Sequence, residues 1–296
     1  MRINIINLDK ERWILTKFSK KLALNLTKLG HTVFLSKKPR TDVDVNHFII
    51  FLFQKEDANY YPKTTINTTM LTHVNDDFRF KKIKSISKFI DAGIAFSSHH
   101  KKFIEKKSLG LKKIFYVLPP TDNDVNLKKV NFGIFTNLYN DGRKEENYFF
   151  NSFIKQDPNF FKLSIIGKGW KKYIKAFKER KIEVDFQRFF FRKLYLKKMS
   201  NLDYLIYLGN DEGSMSFLDA IQFGIKTIMI PQGFQSDLQE FITYKVDKNL
   251  KNFPDIISKI IEEKQKYIKI KKKLNWENYA FSHYEIWKNL KSKINN

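Results

Sequence analysis

The chain has 296 residues, 42% of them hydrophobic, with no cysteine and 55 basic against 31 acidic residues, a formal charge of +24. That length and apolar content suit two ordinary domains or one large one and exclude a disordered chain. Without cysteine there is no disulfide-stapled extracellular fold and no thiolate metal site, and a reducing, cytoplasmic compartment fits. An AT-rich genome accounts for lysine beside many Asn, Ile and Phe residues but not for the shortfall of acids. The excess charge therefore points to a polyanion, an anionic membrane surface first and nucleic acid as its rival.

Residues 2–8 read as a first strand, with an apolar core too short for a signal peptide, and no later apolar run approaches ~20 residues. The chain is expected to be soluble or peripheral to a membrane. Ile14, Phe18, Leu22, Leu26 and Leu29 then form a helix-period stripe ended by Gly30. Residues 30–36 turn into a second strand, Phe48 to Phe53 is expected to be a buried third, and residues 69–76 a strand ending in His73. Lys81, Lys82, Lys84, Lys88, Lys101, Lys102, Lys106 and Lys107 concentrate charge here, with Ile83, Ile86, Phe89 and Ile90 interleaved at helical spacing. They make either an amphipathic core helix with a solvated lysine face or a face that gathers anionic lipid. Residues 90–98 and 114–118 read as further strands around a helix near 99–107.

Residues 123–129 are polar and linker-like, and Phe132 to Leu138 restarts a strand. The loop at residues 139–144 ends in Arg143 and Lys144 just before a helix, a place where guanidinium, ammonium and helix N–H groups suit a diphosphate. Another strand from Leu163 leads into the turn Gly167-Lys168-Gly169-Trp170, and Phe186, Phe189 and Phe190 are expected in the core.

The most informative stretch is residues 202–230. Leu202 to Leu208 and Ile225 to Ile230 read as buried parallel strands, and between them Asp211-Glu212-Gly213-Ser214-Met215-Ser216-Phe217-Leu218-Asp219 opens a helix that closes at Gly224. Ser214 is a plausible N-cap. The helix N-terminus would lie at the carboxyl edge of a parallel sheet, where α/β proteins bind phosphorylated ligands, and Gly213, Ser214 and Ser216 would let backbone approach an anion. Asp211 and Asp219 then either complement the helix dipole or accept from vicinal sugar hydroxyls. A helix over residues 254–273 and an aromatic-rich tail from Trp276 complete the chain.

Residues 211–220, with Phe223-Gly224 and the strand after them, resemble the donor-site signature of glycosyltransferase family four, retaining enzymes of the GT-B fold. The β-α-β opening, the Gly30-His31 pair, His73, the loop at 139–144 and the glycine turn at 167–169 resemble the same family. The Asp9-Lys10-Glu11-Arg12-Trp13 loop departs from it by lacking the usual glycine pair. The resemblance implies two Rossmann-like, doubly wound parallel-sheet domains facing a cleft: residues 1–124 for the acceptor, 125–275 for a nucleotide sugar, and 276–296 as a helix crossing back to the first. Arg143, Lys144, Gly167, Gly169, Gly213, Ser214, Ser216 and Asp219 are then the expected donor-binding residues, with Arg143 and Lys144 on the pyrophosphate and Asp219 on the ribose as the resemblance implies. Asp211 or Glu212 would orient the donor sugar, and His73 would hydrogen-bond it.

The expected activity is metal-independent, cofactor-free transfer from a nucleotide sugar to a glycan or lipid-linked acceptor, in bacterial surface polysaccharide synthesis. The place is the cytoplasm, or the inner face of the membrane reached through Lys81 to Lys107. A noncatalytic relative that binds a nucleotide sugar or a glycan is the first alternative and a basic nucleic-acid-binding protein the second; nucleic acid is not the expected partner.

Overall fold

The computed structural model describes residues 1–9, 13–122, 124 and 127–292. Two compact units divide the chain: residues 1–125 with 271–296, and residues 126–270. Each is a six-stranded, wholly parallel sheet flanked by helices, a Rossmann-like α/β domain.

The first unit runs β1 (Arg2–Ile6), α1 (Ile14–Lys28), β2 (Thr32–Ser36), β3 (Val45–Phe48), β4 (Ile66–Leu71), α2 (Asp77–Ile86), β5 (Ala92–Ala95), α3 (Ser98–Lys106) and β6 (Ile114–Tyr116). Its strand order is β2-β1-β3-β4-β5-β6. Side-chain caps fix where two of the helices start: Asp76 accepts from the Arg79 N–H at 2.9 Å and Ser97 from the His100 N–H at 3.0 Å. The charged loop after β1 includes Lys10, Glu11 and Arg12, which lie outside the described residues.

The third strand lies earlier than Phe48 to Phe53. It is Val45-Asn46-His47-Phe48, and Ile49, Ile50 and Phe51 are buried beyond its end. Its polar residues hide it from a hydrophobic reading, yet each is paired inside the sheet. Asn46 accepts from Asn4 and donates to Thr65, both at 2.9 Å, and His47 Nδ1 lies 2.9 Å from Thr68 Oγ1. A polar group with an internal partner avoids most of the cost of leaving water.

The closing helix α10 (Trp276–Ser292) belongs to the core of this unit. Trp276 and Tyr279 pack edge-on against Phe18 at 5.1 and 5.7 Å between ring centroids. Trp287 donates to Thr68 at 3.1 Å. Asp122 joins the two chain segments of the unit by accepting from Trp276 Nε1 at 2.9 Å while it pairs with Lys17.

The second unit runs β7 (Val130–Phe135), α4 (Glu146–Ile154), β8 (Phe161–Ile166), α5 (Lys171–Glu179), β9 (Glu183–Gln187), α6 (Arg192–Met199), β10 (Tyr204–Tyr207), α7 (Met215–Phe223), β11 (Lys226–Met229), α8 (Phe234–Asp237), β12 (Tyr244–Lys245) and most of α9 (Phe253–Lys273). Phe132, Phe149, Phe153, Phe161 and Phe177 are fully buried at its centre. Phe153 meets Phe149, Phe132 and Phe161 at 4.7, 5.0 and 5.3 Å, tilted and edge-on pairings of the kind that add about 0.5–1.5 kcal/mol beyond burial. The strand order is β12-β11-β10-β7-β8-β9, so the chain winds outward from β7 through β8 and β9, then returns to β10 on the other side. Among the described residues no helix is long and apolar enough to cross a membrane.

Candidate active site

An open parallel sheet leaves a crevice at the carboxyl ends of the two strands where its winding reverses, because the loops there leave in opposite directions. In the second unit those strands are β7 and β10, neighbours in register from Tyr204 against Phe132. The loop after β7 carries Arg143 and Lys144; the loop after β10 carries Asp211 and Glu212.

The structure brings Lys144 and Asp211 together. Lys144 Nζ pairs with Asp211 Oδ2, and its side chain is only 8% exposed. Tyr207, the last residue of β10, ties both: its hydroxyl accepts from Lys144 at 2.6 Å and donates to Asp211 Oδ1. The Gly213 N–H adds a 3.2 Å bond to the same oxygen. Partial burial pushes the Asp211 carboxyl up, but hydrogen bonds from Lys144, Tyr207 and Gly213 outweigh it and leave its pKa below the ordinary value. Burial and the adjacent carboxylate push the Tyr207 phenol up. Gly209 makes this approach possible, since a Cβ there would lie 2.6 Å from the Tyr207 hydroxyl and 3.1 Å from Lys144 Cδ.

Arg143 is half-exposed, stacks 4.1 Å from the Tyr139 ring centroid and lies 3.6 Å from Asp141. Glu212 is exposed. Gly213 has φ 111°, and a Cβ would meet the Phe234 ring at 2.8 Å, so both conformation and space demand glycine.

Helix α7 starts beside this network with its first N–H groups uncapped by any side chain. The Ser214 hydroxyl, at the cap position, lies 2.6 Å from that of Ser216 instead. Uncapped N–H groups at the positive end of a helix dipole suit an anion.

Next to the helix start is a cavity of about 560 Å³, within the roughly 300–1,000 Å³ typical of ligand pockets. It is walled by the carboxyl ends of β7 and β8, including Gly167 and Lys168, and by Ser214, Ser216 and Asp219 of α7. Gly169 lies two residues on, at φ 90°. Arg188, Phe189 and Phe190 supply another wall. This corrects the expected placement of the phenylalanines: Phe189 and Phe190 are 51% and 59% exposed, and Phe186 is 38% exposed. They lie on or just after the edge strand β9, where one side has no neighbouring strand to bury them.

Asp219 is already engaged. Both of its oxygens accept from Arg192, at 2.9 and 3.1 Å, and Oδ2 also accepts from the Tyr195 hydroxyl at 2.6 Å. Arg192, helped by Tyr195, holds the Asp219 carboxyl below its usual range against partial burial. Arg192 and Tyr195 of the cavity wall, and Tyr207 of the Lys144–Asp211 network, are the residues that sequence reasoning missed. The available signal was the Arg188-Phe-Phe-Phe-Arg192 run, which fits neither strand alternation nor helical periodicity.

In the first unit, β4 ends at Leu71, two residues before His73. His73 is exposed and holds φ 55°, a left-handed conformation uncommon for any residue but glycine. Among the described residues no group of three or more His, Asp or Glu side chains is placed to hold a metal ion.

No protein-family model matches the chain, and no curated protein matches its sequence. Among solved structures it is similar to the apo form of the lipopolysaccharide outer core galactosyltransferase WaaB, at 14% identity and a TM-score of 0.38, over 98% of this chain and 100% of that one. It is similar to HepE of Anabaena in complex with UDP-glucose, at 12% identity and a TM-score of 0.36, over 95% and 93%. An α-glucosyltransferase in complex with UDP aligns at 13% identity and a TM-score of 0.39, over 97% and 100%. Likeness this distant transfers no activity to this chain.

Proposed function

We propose that this protein is a glycosyltransferase that moves a sugar from a nucleotide-sugar donor to a glycan or lipid-linked acceptor, of the retaining, metal-independent kind found in family four. One observation carries the reading: Lys144, Tyr207 and Asp211 form a closed network at the reversal point of the second sheet, beside the uncapped start of α7. The residues that build it lie in the stretches that resemble the family's donor site.

In this reading the bond between the anomeric carbon and the diphosphate oxygen breaks with its electron pair passing to the diphosphate, while the acceptor hydroxyl oxygen forms the new bond to that carbon and gives its proton to the departing diphosphate. Arg143, Lys144 and the α7 N–H groups stabilise that growing charge; Lys144, held by Tyr207 and Asp211, and the helix N–H groups are fixed in advance and need little reorganisation as it develops. Asp211, or the exposed Glu212, orients the sugar; a hydrogen bond from His73 to the sugar is what the family resemblance implies. The lysines from Lys81 to Lys107 hold the enzyme at the anionic inner face of a bacterial membrane, where a surface-polysaccharide acceptor would be presented.

A panel of nucleotide sugars, uridine donors first, tests this by thermal unfolding and by slow hydrolysis without acceptor. A ligand at 100 times its dissociation constant adds roughly 2.7 kcal/mol of stability, an easily read shift. Stabilisation with hydrolysis is the expected result. Stabilisation without hydrolysis or transfer would mean a nucleotide-sugar-binding protein, and no response to any donor would overturn the proposal.

A further inference from the structure

Asp219 lies in the second turn of α7 and faces the 560 Å³ cavity. The family resemblance gives an acid at this position the two ribose hydroxyls of the donor, and the role of Asp219 in selecting a nucleotide rests on that donor-site reading. A carboxylate offers about four lone-pair positions. Three are taken: Arg192 Nη1 and Nη2 donate at 2.9 and 3.1 Å, and the Tyr195 hydroxyl at 2.6 Å. Arg192 and Tyr195 are one turn apart on α6, so a single helix delivers both.

One acceptor position therefore remains, whereas a vicinal diol brings two donors. A ribose could engage Asp219 through both hydroxyls only by breaking part of the guanidinium fork, exchanging one charge-assisted hydrogen bond for another of similar strength. Discrimination between a hydroxyl and its absence needs a polar group that is left unpaired when the hydroxyl is missing. Here Arg192 keeps Asp219 paired in either case.

We infer that this pocket does not read the ribose 2′-hydroxyl, so that deoxyribonucleoside diphosphates and the sugars they carry bind as readily as the ribonucleoside forms, with Arg192 as the residue that sets this tolerance. The charge around the cavity agrees, since Lys168, Arg188 and Arg192 face the single carboxylate of Asp219. The phosphates that both nucleotide classes share are thus the dominant handle.

Calorimetry with the four matched pairs ADP and dADP, GDP and dGDP, CDP and dCDP, UDP and dUDP tests this on the full chain. For whichever base binds, the wild type should hold the two members within about threefold of each other. Arg192→Ala leaves Asp219 with free acceptors and should shift the ratio toward the ribonucleotide by at least about tenfold. Tyr195→Phe frees one acceptor while keeping the guanidinium, so its ratio should move the same way by less, even where Arg192 also touches a phosphate. A wild-type preference for the ribonucleotide of about tenfold or more, or an unmoved ratio in both folded variants, overturns the inference and leaves the donor-site reading standing. Binding of none of the eight nucleotides ends both.

Discussion

Lys144 and Asp211, 67 residues apart in sequence, form an ion pair at the end of β10 with the Tyr207 hydroxyl bonded to both. The pair is mostly buried on the lysine side and partly exposed on the acid side, with side-chain exposures of 8% and 23%. Its Coulomb attraction is therefore screened less than at the surface, and a lone partner would be left poorly solvated.

The first prediction comes from that asymmetry. Lys144→Met or Asp211→Asn should each lower stability by about 1–3 kcal/mol, and the double variant should lose clearly less than the sum. Urea unfolding of the four proteins measures the coupling. In function the two should part: Lys144→Met should weaken nucleoside diphosphate binding by at least about tenfold, whereas Asp211→Asn should impair turnover more than nucleotide affinity. Additive stability losses would show that the pair is not coupled. If Glu212→Gln gives the turnover loss while Asp211→Asn is silent, the sugar-orienting acid is Glu212.

The second prediction concerns pH. His47 and His283 are fully buried, 5.3 Å apart between ring centroids, with Thr68 and the Tyr279 carbonyl each 2.9 Å from an Nδ1. Burial lowers both, His283 to about 4 and His47 well below its ordinary value. A histidine depressed in the folded state binds its proton more tightly when unfolded. Its stabilisation is therefore fully present above the unfolded value of 6.5 and is lost as pH falls toward about 4. At about 1.4 kcal/mol per unit of pKa difference, His283 alone should cost about 3 kcal/mol across that window. Urea titrations between pH 7 and pH 4 measure this, and His283→Gln should flatten part of the slope, leaving the share due to His47. Equal slopes in the two proteins would remove His283 as the cause.

Much of this fold was legible from the pattern alone, because parallel strands buried on both faces read as short apolar runs closed by glycine or proline. The stretch from Leu202 to Gly224 showed its strand, loop and helix for that reason. β3 was misplaced because Asn46 and His47 look like loop residues until their partners Asn4, Thr65 and Thr68 are folded beside them. Individual site residues were visible as types at loop positions, but their pairing was not. Arg192 meets Asp219 across 27 residues and Lys144 meets Asp211 across 67, distances over which spacing carries no geometric information. Phe189 and Phe190 were assigned to the core on hydrophobicity, a one-way rule that an edge strand beside a pocket does not obey.

The third prediction tests the lysine surface of α2 and α3. Lys81, Lys84, Lys102 and Lys106 are exposed, and Phe78, at the start of α2, is 71% exposed. The protein should sediment with vesicles containing anionic lipid but not with neutral ones, and salt should release it, since the Debye length falls to about 3 Å at 1 M. Replacing Lys81, Lys84, Lys102 and Lys106 by Ser should abolish sedimentation without lowering the unfolding midpoint. Tighter binding to nucleic acid than to such vesicles at physiological salt would assign the charge to the other polyanion.

The last prediction separates backbone strain from chemistry at His73. Its φ of 55° costs a side-chain-bearing residue roughly 1–2 kcal/mol relative to glycine, partly offset by the greater freedom glycine gains when unfolded. The side chain is exposed, so little packing is at stake. His73→Gly should therefore leave stability within about 1 kcal/mol of the wild type or raise it, while His73→Val, whose branched Cβ tolerates this conformation poorly, should lose about 1–2 kcal/mol. If the imidazole hydrogen-bonds the donor sugar, both variants should lose turnover to a similar degree despite their different effects on stability. Turnover that instead tracks stability, with His73→Gly as active as the wild type, would make His73 a residue of loop geometry alone.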